Sequence, residues 1–235
     1  MKRQIVGVIG GMGPQATAEF YRRLVAMTPA RGDHEHLHVL IDSDPSIPSR
    51  QDALTGRGES PLAQLIVVAR RLESAGATCL AMPCNSAHAW YDDLQAAVSI
   101  PMVHMIKETV HVVRNATSRP KDVGVLATHG ALQAELYEKA FGDGGPHLRV
   151  PDSAQSQAIM DAIAGVKAGS MIGRRQVAAV ARAMLDRGAD ALLVGCTEVS
   201  LLIRPDDVEA DVIDSMSVLA RATVSHVLAS SPALA

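Results

Sequence analysis

Aromatic residues are scarce: one Trp, three Tyr and two Phe in 235 residues. Any core must therefore be built mainly from Ala, Val, Leu, Ile and Met. Hydrophobic residues make up 48% of the chain, ample for an ordinary packed α/β protein. No basic run occurs and the formal net charge is -3, which argues against a nucleic-acid surface. The three cysteines are an odd number without disulfide-framework spacing. That excludes a disulfide scaffold and points to free thiols in a reducing compartment. Long apolar runs are missing as well. Lys2 and Arg3 precede an apolar stretch at 5–9 that breaks at once into Gly10-Gly11-Met12-Gly13-Pro14. This is too short for a signal core or a membrane span. The expectation is a cytoplasmic, soluble protein without a membrane or nucleic-acid partner. Its length allows one large domain or two small lobes.

What is present is a repeat. Val68-Ala69-Arg70 leads to Gly76-Ala77-Thr78-Cys79-Leu80-Ala81-Met82-Pro83-Cys84-Asn85-Ser86. Val180-Ala181-Arg182 leads to Gly188-Ala189-Asp190-Ala191-Leu192-Leu193-Val194-Gly195-Cys196-Thr197-Glu198. Upstream, Val6-Gly7-Val8-Ile9-Gly10 is echoed by Val123-Gly124-Val125-Leu126-Ala127. The chain reads as a fused duplication. Short apolar runs at 5–9, 37–41, 78–82, 101–104, 123–127, 147–150, 191–194 and 212–213 are expected strands. Helical patterns lie at 15–26, 61–75, 87–98, 106–115, 130–141, 153–168, 174–187 and 216–229. Such alternation predicts an α/β protein of βαβ units with parallel strands, and the duplication gives each half one thiol at the end of an equivalent strand. Arg119-Pro120-Lys121 divides the chain into residues 1–117 and 118–215, with 216–229 a candidate to complete the first lobe. Residues 230–235 are expected to fray.

Cys84 and Cys196 each follow a strand, beside residues able to hydrogen-bond, whereas Cys79 falls mid-strand as a small hydrophobe. In open α/β sheets ligands bind at the carboxyl ends of strands. A thiol there, at the start of a helix, is expected to have a lowered pKa. Metal binding is disfavoured, because neither cysteine has a second ligand at Cys-x-x-Cys or Cys/His spacing. Gly11, Gly13 and Ala16 fit a dinucleotide fingerprint, but a glycine turn whose amides hold a small carboxylate fits equally short spacing. His34, His36 and His38 alternate, more as a solvated lead into a strand than as a metal triad. Arg50 follows the second strand in a loop and suits a carboxylate clamp. Lys167 ends a helix, where a cation is favoured in any case.

These residues together resemble the aspartate/glutamate racemases that work without pyridoxal phosphate. The matching segments are Gly10-Gly11-Met12-Gly13-Pro14 with Ala16-Thr17, Ile47-Pro48-Ser49-Arg50, Pro83-Cys84-Asn85-Ser86-Ala87-His88, Leu126-Ala127-Thr128 and Gly195-Cys196-Thr197-Glu198. The resemblance implies two pseudo-symmetric α/β lobes, each with a parallel sheet flanked by helices and the active site between them, in a homodimeric enzyme without cofactor that acts on an acidic amino acid. It implies Cys84 and Cys196 as the two acid/base groups, with Cys196 acting on the L form and Cys84 on the D form. Asn85, Ser86, Thr128 and Thr197 are implied around the α-carboxylate and amine. Met12 would wall the site, and Arg50 and Lys167 would hold the side-chain carboxylate. Ser86 stands where threonine is usual, and Ala131 where a second threonine is common. Maleate isomerase, hydantoin racemase and arylmalonate decarboxylase are the more remote alternatives, followed by a dicarboxylate-binding protein without turnover.

Overall fold

The computed structural model describes residues 4–230; residues 1–3 and 231–235, with most of the segment expected to fray, lie outside them. Among the described residues eight parallel strands form two four-stranded sheets. The first runs β2 (His38–Ser43), β1 (Ile5–Gly10), β3 (Cys79–Ala81), β4 (Met102–Val103). The second runs β6 (His147–Arg149), β5 (Asp122–Ala127), β7 (Ala191–Gly195), β8 (Asp211–Asp214). The two orders are the same. The duplication also extends to register. Gly7 pairs with Leu80 across β1 and β3, and Gly124 pairs with Leu192 across β5 and β7. In each case a Cβ on the glycine would come 2.8 Å from that leucine's Cδ2, so the close approach requires glycine twice.

Helices cover both faces of each sheet. The inner strands β1, β3, β5 and β7 are accordingly almost wholly apolar and buried, whereas the edge strands β2, β6 and β8 keep exposed polar residues. On the first sheet α3 (Leu62–Ser74) and α4 (Tyr91–Ala96) close one face through Leu65, Val68 and Leu94. On the second, α8 (Ser153–Lys167) and α9 (Arg174–Asp186) do so through Ile159, Ile163, Val177 and Met184. The remaining faces are covered crosswise. The helix α5 (Met105–Arg114) follows β4, yet its Ile106 and Val110 pack with Val123 and Val125 of the second sheet. The helix α10 (Ser215–Ala229) follows β8, yet Met216, Leu219 and Val224 pack with Phe20 and Leu24 of α1 (Pro14–Met27) on the first. Each buried side chain of this size contributes about 1.5–3 kcal/mol, so each half lends a helix that the other's core depends on.

Three expectations need correction. Residues 50–54 are helical, not loop: α2 (Arg50–Leu54) is capped by Ser49, whose hydroxyl accepts from Asp52 N. The pattern at 130–141 is two helices, α6 (His129–Gln133) and α7 (Leu136–Phe141), separated at Glu135 with φ 53. The break sets α7 so that Tyr137 and Phe141 enter the core. The segment expected as a helix from 87 opens as a 3-10 turn, Ser86–Trp90, before α4.

Candidate active site

Cys84 lies four residues beyond Leu80, and Cys196 four beyond Leu192, the two register-equivalent leucines. Both thiols are free and buried, and both line one cleft at the carboxyl ends of the sheets. The other site residues arrive from equivalent places. Met12 follows β1 and Thr128 follows β5; Asn85 and Ser86 follow Cys84, and Thr197 follows Cys196. Arg50 opens α2, which follows β2, and Lys167 ends α8, which follows β6. All nine residues selected from the sequence thus line the same cleft, together with Ser49, Gln51 and Glu198.

The two thiols have different backing. Behind Cys84 stands His88, whose Nδ1 donates to the Cys84 carbonyl at 2.8 Å while Nε2 accepts from Met105 N at 3.1 Å. Burial, and secondarily the neighbouring His104, push the His88 pKa down to about 3, so the ring is neutral and acts as a backbone clamp. Behind Cys196 stands Glu198, whose Oε2 accepts from Cys196 Sγ at 3.3 Å and from Thr197 Oγ1 at 3.2 Å. Here the expectation of a lowered thiol pKa is overturned. Burial first, then the Glu198 carboxylate, raise Cys196 well above the ordinary thiol value; the amides of Val199 and Glu198 oppose this and lose. Cys196 rests as a protonated thiol.

Glu198 Oε1 is buried and finds no partner among the described residues. It lies against Gly13, where a Cβ would come within 3.2 Å of it. The Gly11 amide, in turn, is taken by Thr17 Oγ1 at 2.9 Å. A carboxylate at one glycine and an occupied amide at another weigh against a pyrophosphate in this loop.

Asn85 is locked from both ends. Tyr137 donates to its Oδ1 at 2.5 Å, and its Nδ2 donates to Ser215 Oγ at 3.0 Å, leaving one Nδ2 hydrogen for a ligand. Arg50 is half-buried and bent back onto the residues before α2, with Nη1 donating to Ile47 O and Pro48 O at 2.9 and 2.8 Å. Its buried Nε has no partner among the described residues. The cleft therefore carries two cations, Arg50 and Lys167, and a carboxylate beside Cys196. This suits a ligand bearing both an anionic side chain and a cationic group.

Fold and site define an internally duplicated, two-lobed α/β protein with paired thiols in a single cleft. The chain belongs to the Asp/Glu/Hydantoin racemase family, whose sequence model matches residues 9–223. It is 30% identical over 230 residues to the broad specificity amino-acid racemase RacX of Bacillus subtilis, covering 96% of this chain and 99% of that one. Among solved structures it resembles the aspartate racemase of Picrophilus torridus, with 31% identity, a TM-score of 0.86, and 97% and 94% of the two chains covered. The glutamate racemase RacE1 of Bacillus anthracis shares the fold at 20% identity, with a TM-score of 0.70 and 99% and 84% of the chains covered. No helix among the described residues is long and apolar enough to cross a membrane.

Proposed function

We propose that the protein interconverts the L and D forms of aspartate, glutamate or both by proton transfer between the substrate's α-carbon and two thiols. One observation carries the reading: Cys84 and Cys196 occupy register-equivalent positions and line one cleft with Arg50 and Lys167. Inversion requires a base on one face of the α-carbon and an acid on the other. Two thiols at pseudo-symmetric positions meet that requirement without a cofactor. In the L-to-D direction Cys196 removes the α-proton and Cys84 returns one; in the other direction the roles reverse. To act as base, Cys196 must first lose its own proton, and Glu198 Oε2 is already its hydrogen-bond acceptor.

The α-proton is weakly acidic, so donors aimed at the carboxylate, where charge develops, supply much of the stabilisation. Ser86, Thr128, Thr197 and the remaining Asn85 hydrogen line the cleft for this purpose. Arg50 and Lys167 hold the side-chain carboxylate, and Met12 walls the site. A homodimer in solution belongs to the same proposal.

The test is a chiral assay of L- and D-aspartate and L- and D-glutamate with no cofactor added. Each active enantiomer should converge on an equal mixture; retained optical purity for all four contradicts the reading. The broad-specificity relative favours a second one, in which neutral amino acids are turned over as fast as acidic ones. That result leaves the two-thiol chemistry and removes the clamp role of Arg50.

A further inference from the structure

Gln51 was invisible as a site residue in the sequence, yet its carboxamide bridges the cleft. It sits in α2 and reaches residues that follow both β3 and β5. Its Oε1 accepts from Gly130 N at 2.8 Å, which fixes which way the amide points. Its Nε2 then donates to Ser86 Oγ and to Thr128 Oγ1, both at 2.9 Å. Thr128 Oγ1 accepts a second bond from Ala131 N at 3.3 Å. A hydroxyl has two acceptor sites and one proton. Both acceptor sites of Thr128 are filled, so Thr128 must donate, and Ser86 Oγ lies 3.1 Å away. Ser86 in turn accepts from Gln51 and Thr128, so its own proton is left to point into the cleft.

We propose that Gln51 is a positioning residue: it sets the direction of the Thr128–Ser86 hydroxyl pair so that Ser86 presents a donor to the substrate carboxylate. The proposal rests on the racemase reading above and adds the group that polarises the site. Without the amide, both hydroxyls are free to turn their lone pairs toward the carboxylate. That would repel the negative charge that grows there as the α-proton leaves.

The test compares kcat and KM of wild type, Gln51→Met, Gln51→Glu and Gly130→Ala, with aspartate and glutamate across pH. Deleting one well-aimed donor costs about 10²–10³ in kcat, and a hydroxyl free to turn keeps part of that. Gln51→Met should therefore lose about tenfold to a hundredfold in kcat, with KM moving less. Gly130→Ala should reproduce the loss without changing Gln51 itself, because its Cβ would fall 2.7 Å from Gln51 Oε1 and push the carboxamide off the hydroxyl pair. It also guards against a Gln51 variant that fails to fold. The carboxylate that Gln51→Glu introduces would, once ionised, draw both hydroxyl protons toward itself. The kcat of Gln51→Glu relative to wild type should therefore fall as pH rises through the carboxylate range, about pH 4–6.

If Gln51→Met and Gly130→Ala keep kcat within about twofold of wild type, the proposal is overturned. A Gln51→Glu ratio that stays flat with pH also overturns it, because a merely structural contact would behave that way. A wild type silent on both acids overturns the functional reading and this proposal with it; an active wild type with unaffected variants overturns this proposal alone.

Discussion

Cys84 and Cys196 stand the same distance beyond the same register point of two sheets with the same strand order. What backs them differs. A neutral histidine clamps the Cys84 carbonyl, whereas a carboxylate accepts a hydrogen bond from the Cys196 thiol. The duplication supplies placement, and the groups behind the two thiols have diverged. Cys196 has a hydrogen-bond acceptor beside it. Cys84 has a rigid backbone instead, tied through His88 to the start of α5, the helix that crosses to the other lobe.

The largest expected effect comes from breaking the pairing itself. Cys84→Ala and Cys196→Ala should each abolish racemisation, read by chiral chromatography, because inversion needs groups on both faces. Next is the asymmetry between the two. Glu198→Gln keeps the shape and removes the acceptor, and should lower kcat/KM by about 10²-fold, the scale of general-base catalysis. Because the enantiomers have equal free energies, kcat/KM must fall by one factor in both directions. The asymmetry should appear in kcat, with the larger loss on the L substrate; equal kcat losses contradict the assigned role.

Arg50→Ala should cost about 1.5–3 kcal/mol in use of acidic substrates, the worth of a charge-assisted bond, with little change in the unfolding midpoint. Unchanged kinetics on aspartate and glutamate would remove Arg50 from the clamp.

The smallest effect concerns His88 and is one of stability. Its pKa is about 3 in the folded protein against an ordinary 6.5, so the unfolded chain takes up the proton first. Its contribution is fully present above about pH 6.5 and is lost progressively as pH falls toward 3. His104, lowered to about 4 mainly by burial, adds in the same sense. Urea midpoints of wild type should drop over this window by more than those of His88→Gln; parallel curves contradict the account.

Much of this was legible in the sequence. The inner strands β1, β3, β5 and β7 were readable as continuous apolar runs buried in parallel sheets; edge strands such as β6, His147-Leu148-Arg149, were legible only from their place between helical patterns. Cys84, Cys196 and Arg50 stood out by position, each following a strand toward the carboxyl end of its sheet, where ligands bind. The site roles of Met12, Asn85, Ser86, Thr128, Lys167 and Thr197 came from the resemblance to the racemases, and the structure lines one cleft with all nine. The rest failed for local reasons. Five residues cannot display a helical period, so α2 read as loop. Nothing in Ala134-Glu135 signals a break, so α6 and α7 read as one helix. Glu198 was visible only as a polar neighbour, since a short contact between residues two apart depends on a turn geometry that spacing does not reveal. Gln51 had no local signal: its partners Ser86 and Thr128 are 35 and 77 residues away, brought near only by lobe packing.

The central claim is that each thiol serves one face of the α-carbon, and deuterium tests it most directly. In deuterated water, Cys84→Ala retains Cys196 and should slowly exchange the α-proton of the L acid for deuterium without inverting it. Cys196→Ala should do the same with the D acid alone. The readout is mass and chirality of recovered substrate. Exchange confined to one enantiomer in each variant, with no racemisation, is the expected result. Racemisation at near wild-type rate in either single variant contradicts a two-thiol mechanism.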